Sequence, residues 1–142
     1  MSRVQLALNV EDLEASVDFY TKLFGTPPAK RREGYANFAI AEPPLKLVLV
    51  EGAGEPGSLN HLGVEVETTD EVQAATARLA GEGLPTATED NVTCCFAVQD
   101  KVWVDAPSGE PWEIYTVLAD ADVLLGDGMC CDSARESAER CC

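Results

Sequence analysis

The chain has 142 residues, 46% hydrophobic and 25% charged, the size and composition of one globular domain rather than a disordered or fibrous chain. Ten basic residues against twenty-five acidic ones give a formal charge of -15, which repels phosphate backbones and anionic lipid and excludes nucleic acid and membrane surfaces as partners. No apolar run approaches the roughly 18 residues a membrane span needs. The opening MSRVQLALNV lacks the apolar core and cleavage site of a secretory signal, so the expectation is a cytoplasmic protein whose thiols stay reduced.

Val4, Leu6, Leu8 and Val10 alternate with Gln5, Ala7 and Asn9, the period of a strand with one face in a core. Asp12 stands as a helix cap before Leu13, Val17, Tyr20, Leu23 and Phe24, which recur at helical spacing up to Gly25, with Pro27 and Pro28 beyond. A short strand around Lys30 to Arg32 precedes strands at Tyr35 to Ala41 and Leu45 to Val50, joined across Glu42-Pro43-Pro44. Glu51 to Ser58, with three glycines and a proline, reads as a long loop.

The pattern then starts again. Leu59 to Val66 reads as a strand, and Asp70 as the cap of a helix carrying Val72, Ala75 and Leu79 and ending near Gly81 to Pro85. Strands follow near Pro85 to Thr88, Gln99 to Asp105 and Trp112 to Leu118. Strand-helix-strands therefore occurs twice. The fold expected is α+β, two β-α-β-β-β modules. Residues 1–118 form the domain, with modules at about 1–51 and 59–118, and residues 119–142 form an acidic, cysteine-rich flexible tail.

The six cysteines come as three adjacent pairs, Cys94-Cys95, Cys130-Cys131 and Cys141-Cys142. A disulfide between chain neighbours is strained, so soft-ion binding is the expected use of a vicinal pair. Neighbours on a regular strand point to opposite faces, so convergence of Cys94 and Cys95 on one ion needs a loop or bulge, for which Asn91 to Thr93 supply a polar break. Lys101 nearby reads as a solvated charge on a hairpin. His61, the single histidine, occupies the same place in the opening strand of the second repeat as Gln5 does in the first, so a pseudo-twofold relation brings the two together. Glu113 on the last strand adds a carboxylate. One imidazole, one carboxylate and one amide oxygen, with coordination positions left open, suit a divalent metal such as non-haem iron.

The two modules, the strand Asn60-His61-Leu62-Gly63-Val64-Glu65-Val66 and the ending Asp105-Ala106-Pro107-Ser108-Gly109-Glu110-Pro111-Trp112-Glu113-Ile114-Tyr115 resemble the vicinal oxygen chelate superfamily of glyoxalases, extradiol dioxygenases and antibiotic-resistance proteins. The segment from Asn91 to Asp105 around Cys94-Cys95 resembles the organoarsenical carbon-arsenic lyases, whose relatives include cadmium-induced proteins. The resemblance covers about residues 1 to 118. It implies that the two modules form a curved mixed sheet around a metal cavity, with metal ligands at Gln5, His61 and Glu113, a Fe(II) cofactor, and dioxygen and trivalent organoarsenicals as partners, Cys94 and Cys95 being the catalytic pair that holds arsenic. The products it implies from a methyl substrate are arsenite and formaldehyde, and the assembly a monomer or a homodimer. Gln5 departs from the histidine or glutamate of many members. Two rival readings use part of the same residues: a thiol-based cadmium or arsenite binder, and a glyoxalase-type isomerase or transferase.

Overall fold

The computed structural model describes residues 2–122. The first module comprises β1 (Arg3–Val10), α1 (Leu13–Phe24), β2 (Lys30–Arg32), β3 (Tyr35–Ile40) and β4 (Leu45–Glu51). The second comprises β5 (Leu59–Glu65), α2 (Thr69–Gly81), β6 (Ala87–Cys94), β7 (Ala97–Asp105) and β8 (Pro111–Asp120). All eight strands form one sheet, in the order β2-β3-β4-β1-β5-β8-β7-β6. Each module contributes its first strand to the centre, where β1 and β5 pair antiparallel, and each first strand pairs parallel with the last strand of its own module. Both halves of the duplicated pattern are therefore present and related by a twofold between β1 and β5.

The sheet is curled. Lys30, on the β2 edge, donates to the Phe96 carbonyl at 2.9 Å and to the carboxylate of Asp120 at 2.7 Å, which ties the two ends of the strand order together. α1 covers the convex face of its own module, packing Leu13 and Val17 against Ala36, Phe38, Leu47 and Leu49. Asp12 caps α1 by accepting from the Ala15 amide at 3.1 Å, and Gly25 closes it in the left-handed conformation. These are the outward rows of β1, β3 and β4, so the other row of each strand faces the concave side.

Three local expectations are corrected. The N-cap of α2 is Thr68, in a capping box with Glu71, and Asp70 lies in the first turn, where its charge favours the helix dipole without capping it. β6 continues past Thr88 to Cys94, because a bulge between Glu89 and Val92 keeps the polar stretch beyond Thr88 within the strand. β8 runs two residues past Leu118, to Asp120. Cys130, Cys131, Cys141, Cys142 and the tail expected beyond residue 122 lie outside the described residues. No described helix is long and apolar enough to cross a membrane.

Candidate metal and thiol site

Gln5 and His61 are each the third residue of the opening strand of a module, and the register pairs Gln5 with Gly63 and His61 with Ala7. The two side chains are thus diagonal neighbours on the concave face. Glu113 stands beside Gly63 in the β5–β8 pairing, so Gly63 lies between Gln5 and Glu113. A Cβ built on Gly63 would meet the Glu113 Cγ and carbonyl oxygen at 3.0 Å and the Gln5 amide nitrogen at 3.3 Å. The missing side chain is what lets the two polar groups meet.

The three side chains converge as the sequence pattern predicts. The Gln5 nitrogen is 2.8 Å from Glu113 Oε1 and 3.0 Å from His61 Nε2, and His61 Nε2 is 3.2 Å from that same Oε1. All three residues are buried, His61 completely. Tyr115 donates its hydroxyl to the Gln5 amide oxygen. A bulge at Asn60, where the register slips between Ala7 and Leu8, brings the Asn60 amide oxygen to 2.7 Å from His61 Nδ1. Asn60 in turn donates to Asn9, and Asn9 to Ser58. This relay was not visible as such in the sequence, although the Asn60-His61 dipeptide was its one signal.

With Nδ1–H donating to Asn60, the lone pair of His61 Nε2 faces a carboxylate oxygen at 3.2 Å. The Gln5 NH2, 3.0 Å from one and 2.8 Å from the other, donates to both acceptors, the place that a metal ion bound by them would take. The triangle also has metal-site dimensions. Ligands bonded at about 2.1 Å and right angles to one another lie about 3.0 Å apart, close to the separations of 2.8, 3.0 and 3.2 Å seen here. Gln5 must turn its amide to offer oxygen rather than nitrogen, and Tyr115 Oη is placed to accept the reversed NH2. The residues therefore fit a divalent cation. Among the described residues no group of three His, Cys, Asp or Glu forms a metal cluster, which reflects that the third donor is an amide.

Lys101 is a correction. It is 1% exposed rather than solvated, because β7 turns Gln99, Lys101 and Trp103 towards the concave side. Its Nζ lies 2.8 Å from Glu113 Oε2 and over the rings of Trp103 and Tyr115, at 5.4 and 5.8 Å from their centroids. Burial pushes the Glu113 carboxyl up, but the charges and hydrogen bonds around it, the Lys101 ammonium first, outweigh this and hold the group far below the ordinary carboxylate range. Burial also keeps the hydroxyls of Tyr35 and Tyr115 protonated by pushing both upward.

Cys94 ends β6 and pairs with Ala97, so Cys95 and Phe96 are the two central residues of the β6–β7 hairpin, with φ of 53° and 59°. Two-residue hairpins of this kind need positive φ at both positions and normally use Asn-Gly. Here the conformation is strained, and it is held by Lys30 on the Phe96 carbonyl and by Tyr35 and Arg32 against the Phe96 ring, at 5.1 and 5.8 Å between centroids and from guanidinium to centroid. Cys95 packs on the concave apolar wall of Ala7, Tyr35, Val48, Val50 and Phe96, and Ala7 is the register partner of His61. The two sulfurs are 3.9 Å apart. Thiolate bonds of about 2.3 Å to one atom span up to about 4.6 Å, so a single thiophilic atom can bridge them. Cys94 is disulfide-bonded; bridging therefore requires it to be reduced first.

The glyoxalase/bleomycin resistance protein/dioxygenase superfamily model matches residues 3–114. The chain belongs to that superfamily. Within it, the chain is 65% identical over 134 residues to a trivalent organoarsenical cleaving enzyme of Thermomonospora curvata, covering 92% of this chain and 89% of that protein. It is 58% identical over 142 residues to the cadmium-induced protein CadI of Mycobacterium tuberculosis, covering 100% and 93%. Among solved structures, the Mn(II)-bound glyoxalase from Novosphingobium aromaticivorans superposes with a TM-score of 0.59 at 20% identity, over 89% of this chain and 44% of that one. An extradiol ring-cleaving dioxygenase from B. fuscum gives 0.60 at 22%, over 84% and 34%. These two structures share the curled sheet found here.

Proposed function

We propose that the protein is a carbon-arsenic lyase that cleaves trivalent organoarsenicals such as methylarsenite, in the cytoplasm, using Fe(II) and dioxygen, and so detoxifies them. The observation that carries the reading is that Cys95, with the Cys94 sulfur 3.9 Å away, packs on an apolar wall that includes Ala7, the register partner of His61 in the buried cluster of imidazole, carboxylate and amide. The similarity to organoarsenical cleaving enzymes supports it.

In this reading Gln5, His61 and Glu113 hold the iron, and Cys94 and Cys95 hold the arsenic. Trivalent arsenic with one methyl group carries two hydroxyls. The two thiols displace them, their protons leave with the hydroxyls as two waters, and two arsenic-sulfur bonds replace two arsenic-oxygen bonds. The wall of Ala7, Val48 and Val50 then shelters the methyl group from water. Asn60 keeps the proton of His61 on Nδ1 and its Nε2 lone pair turned inward. Ferrous ion, when bound, supplies the activation of dioxygen. The overall balance is CH3As(OH)2 + O2 → As(OH)3 + HCHO, in which both atoms of dioxygen are consumed, one bound to arsenic and one to carbon.

The 58% identity to a cadmium-induced protein favours a second reading, soft-metal binding by the thiols alone. Reduced protein incubated with ferrous ion, dioxygen and methylarsenite separates the two. Release of arsenite and formaldehyde in equal amounts, over many turnovers, is expected. Stoichiometric retention of methylarsenite with neither product would overturn the lyase reading.

A further inference from the structure

The two oxygens of the Glu113 carboxylate have different partners. Oε1 faces the Gln5 amide and His61 Nε2 at 2.8 and 3.2 Å, whereas Oε2 takes the Lys101 ammonium at 2.8 Å. The lysine is not a mobile surface group. It is buried, and its Nζ is seated over the faces of Trp103 and Tyr115, an arrangement that favours a desolvated cation. Trp103 is itself packed edge-on against the His61 ring, at 5.4 Å between centroids. The same scaffold therefore sets the imidazole and the ammonium on either side of one carboxylate.

We propose that Lys101 is a positioning residue that restricts Glu113 to binding a divalent metal through Oε1 alone. The inference rests on the reading of Gln5, His61 and Glu113 as a metal site. A carboxylate can chelate through both oxygens, and chelation would fill a coordination position that a metal reacting with further ligands must keep open. A charge-assisted hydrogen bond from Lys101 to Oε2 removes that option. Nothing in the local sequence of β8 would do so, since Trp112 and Ile114 point to the opposite face.

The test uses reduced full-length protein and Zn(II) alone, with metal-induced difference infrared spectra and Glu113→Gln to identify the Glu113 bands. One-oxygen binding gives a wide separation between the antisymmetric and symmetric carboxylate stretches, and chelation a narrow one. Wild type is expected to show the wide separation, Lys101→Met the narrow one, and Lys101→Gln, which keeps an N–H donor, the wide one again. With iron loaded, Lys101→Met should lower kcat by tenfold or more and leave the KM for methylarsenite unchanged. A narrow separation in wild type, or a wide one in metal-bound Lys101→Met, overturns the proposal. If the Met variant does not fold, the wild-type and Gln spectra still decide it, since a narrow separation in either overturns the positioning role. Wild type that binds no Zn(II) or ferrous ion overturns the metal site itself, a result distinct from bound metal with the wrong carboxylate mode.

Discussion

On the concave face the register sets Ala7, Tyr35, Val48 and Val50 of the first module in correspondence with Gly63, Lys101, Glu113 and Tyr115 of the second. The backbone is duplicated and the chemistry is not. In the first module these positions join into an apolar wall with Phe96; in the second they carry the carboxylate, its lysine partner and the gap that admits both Glu113 and Gln5. Of the donor positions, Gln5 and His61 keep polar side chains on both sides of the twofold. A symmetric set of ligands would have four members, and Val48 occupies the place of the fourth. The asymmetry thus leaves room on one side of the candidate metal and provides, on that side, a dry surface next to the thiol-bearing turn.

The largest effects should come from the second module. His61→Ala and Glu113→Ala are each expected to weaken ferrous ion binding by more than 100-fold, since loss of groups that merely orient ligands already costs 10 to 100-fold. Arsenite release should fall below detection in both. Gln5→Ala should be milder, because a neutral amide contributes less to holding a cation than a carboxylate does. Anaerobic calorimetric titration checks the order; equal losses for all three would erase the distinction between the modules' donors.

Val48→Glu sharpens the comparison by restoring the fourth member. The expected protein binds ferrous ion more tightly than wild type, turns over little because an open position is filled, and is destabilised without metal, since a buried charge lacks a partner. Melting with and without metal, together with the titration, reads all three. An unchanged affinity would mean that Val48 does not face the metal.

Gly63→Ala and Asn60→Ala probe the supports rather than the ligands. The first pushes Glu113 and Gln5 apart by a few tenths of an ångström, and the second frees the proton on His61 Nδ1; each is expected to lower metal affinity by about 10 to 100-fold. Thr68→Ala is the small end of the series. It removes the α2 cap far from the concave face, and should cost about 1 kcal/mol of stability in denaturant unfolding with metal affinity unchanged.

Much of this arrangement was legible in the amino-acid order. Strand alternation puts Gln5 and His61 at equivalent places in two repeats, and that alone predicts their meeting. The meeting with Glu113 follows from the same pattern, but the turn at the cysteines lies at Cys95-Phe96 rather than at Asn91 to Thr93, of which Thr93 is paired in β6. Lys101 was not legible, because alternation on β7 tells which residues share a face but not that the sheet curls and seats this side chain among Glu113, Trp103 and Tyr115. Asn60 escaped for a different reason: it sits at a bulge, and a bulge breaks the period by which inward residues are recognised. The end of β6 was misread at Glu89-Asp90-Asn91 for the same reason, Asn91 being itself in the left-handed conformation with its backbone amide donating to Asp100 at 2.7 Å.

The central claim is a division of labour, metal on the imidazole and carboxylate of the second module, arsenic on the turn. Anaerobic cross-titration of two variants tests it most directly, with reduced Cys95→Ser and reduced His61→Ala each titrated with ferrous ion and with methylarsenite. Cys95→Ser should bind iron like wild type and lose methylarsenite, and His61→Ala should do the reverse. Loss of methylarsenite binding in His61→Ala, or of iron binding in a folded Cys95→Ser, would contradict the account.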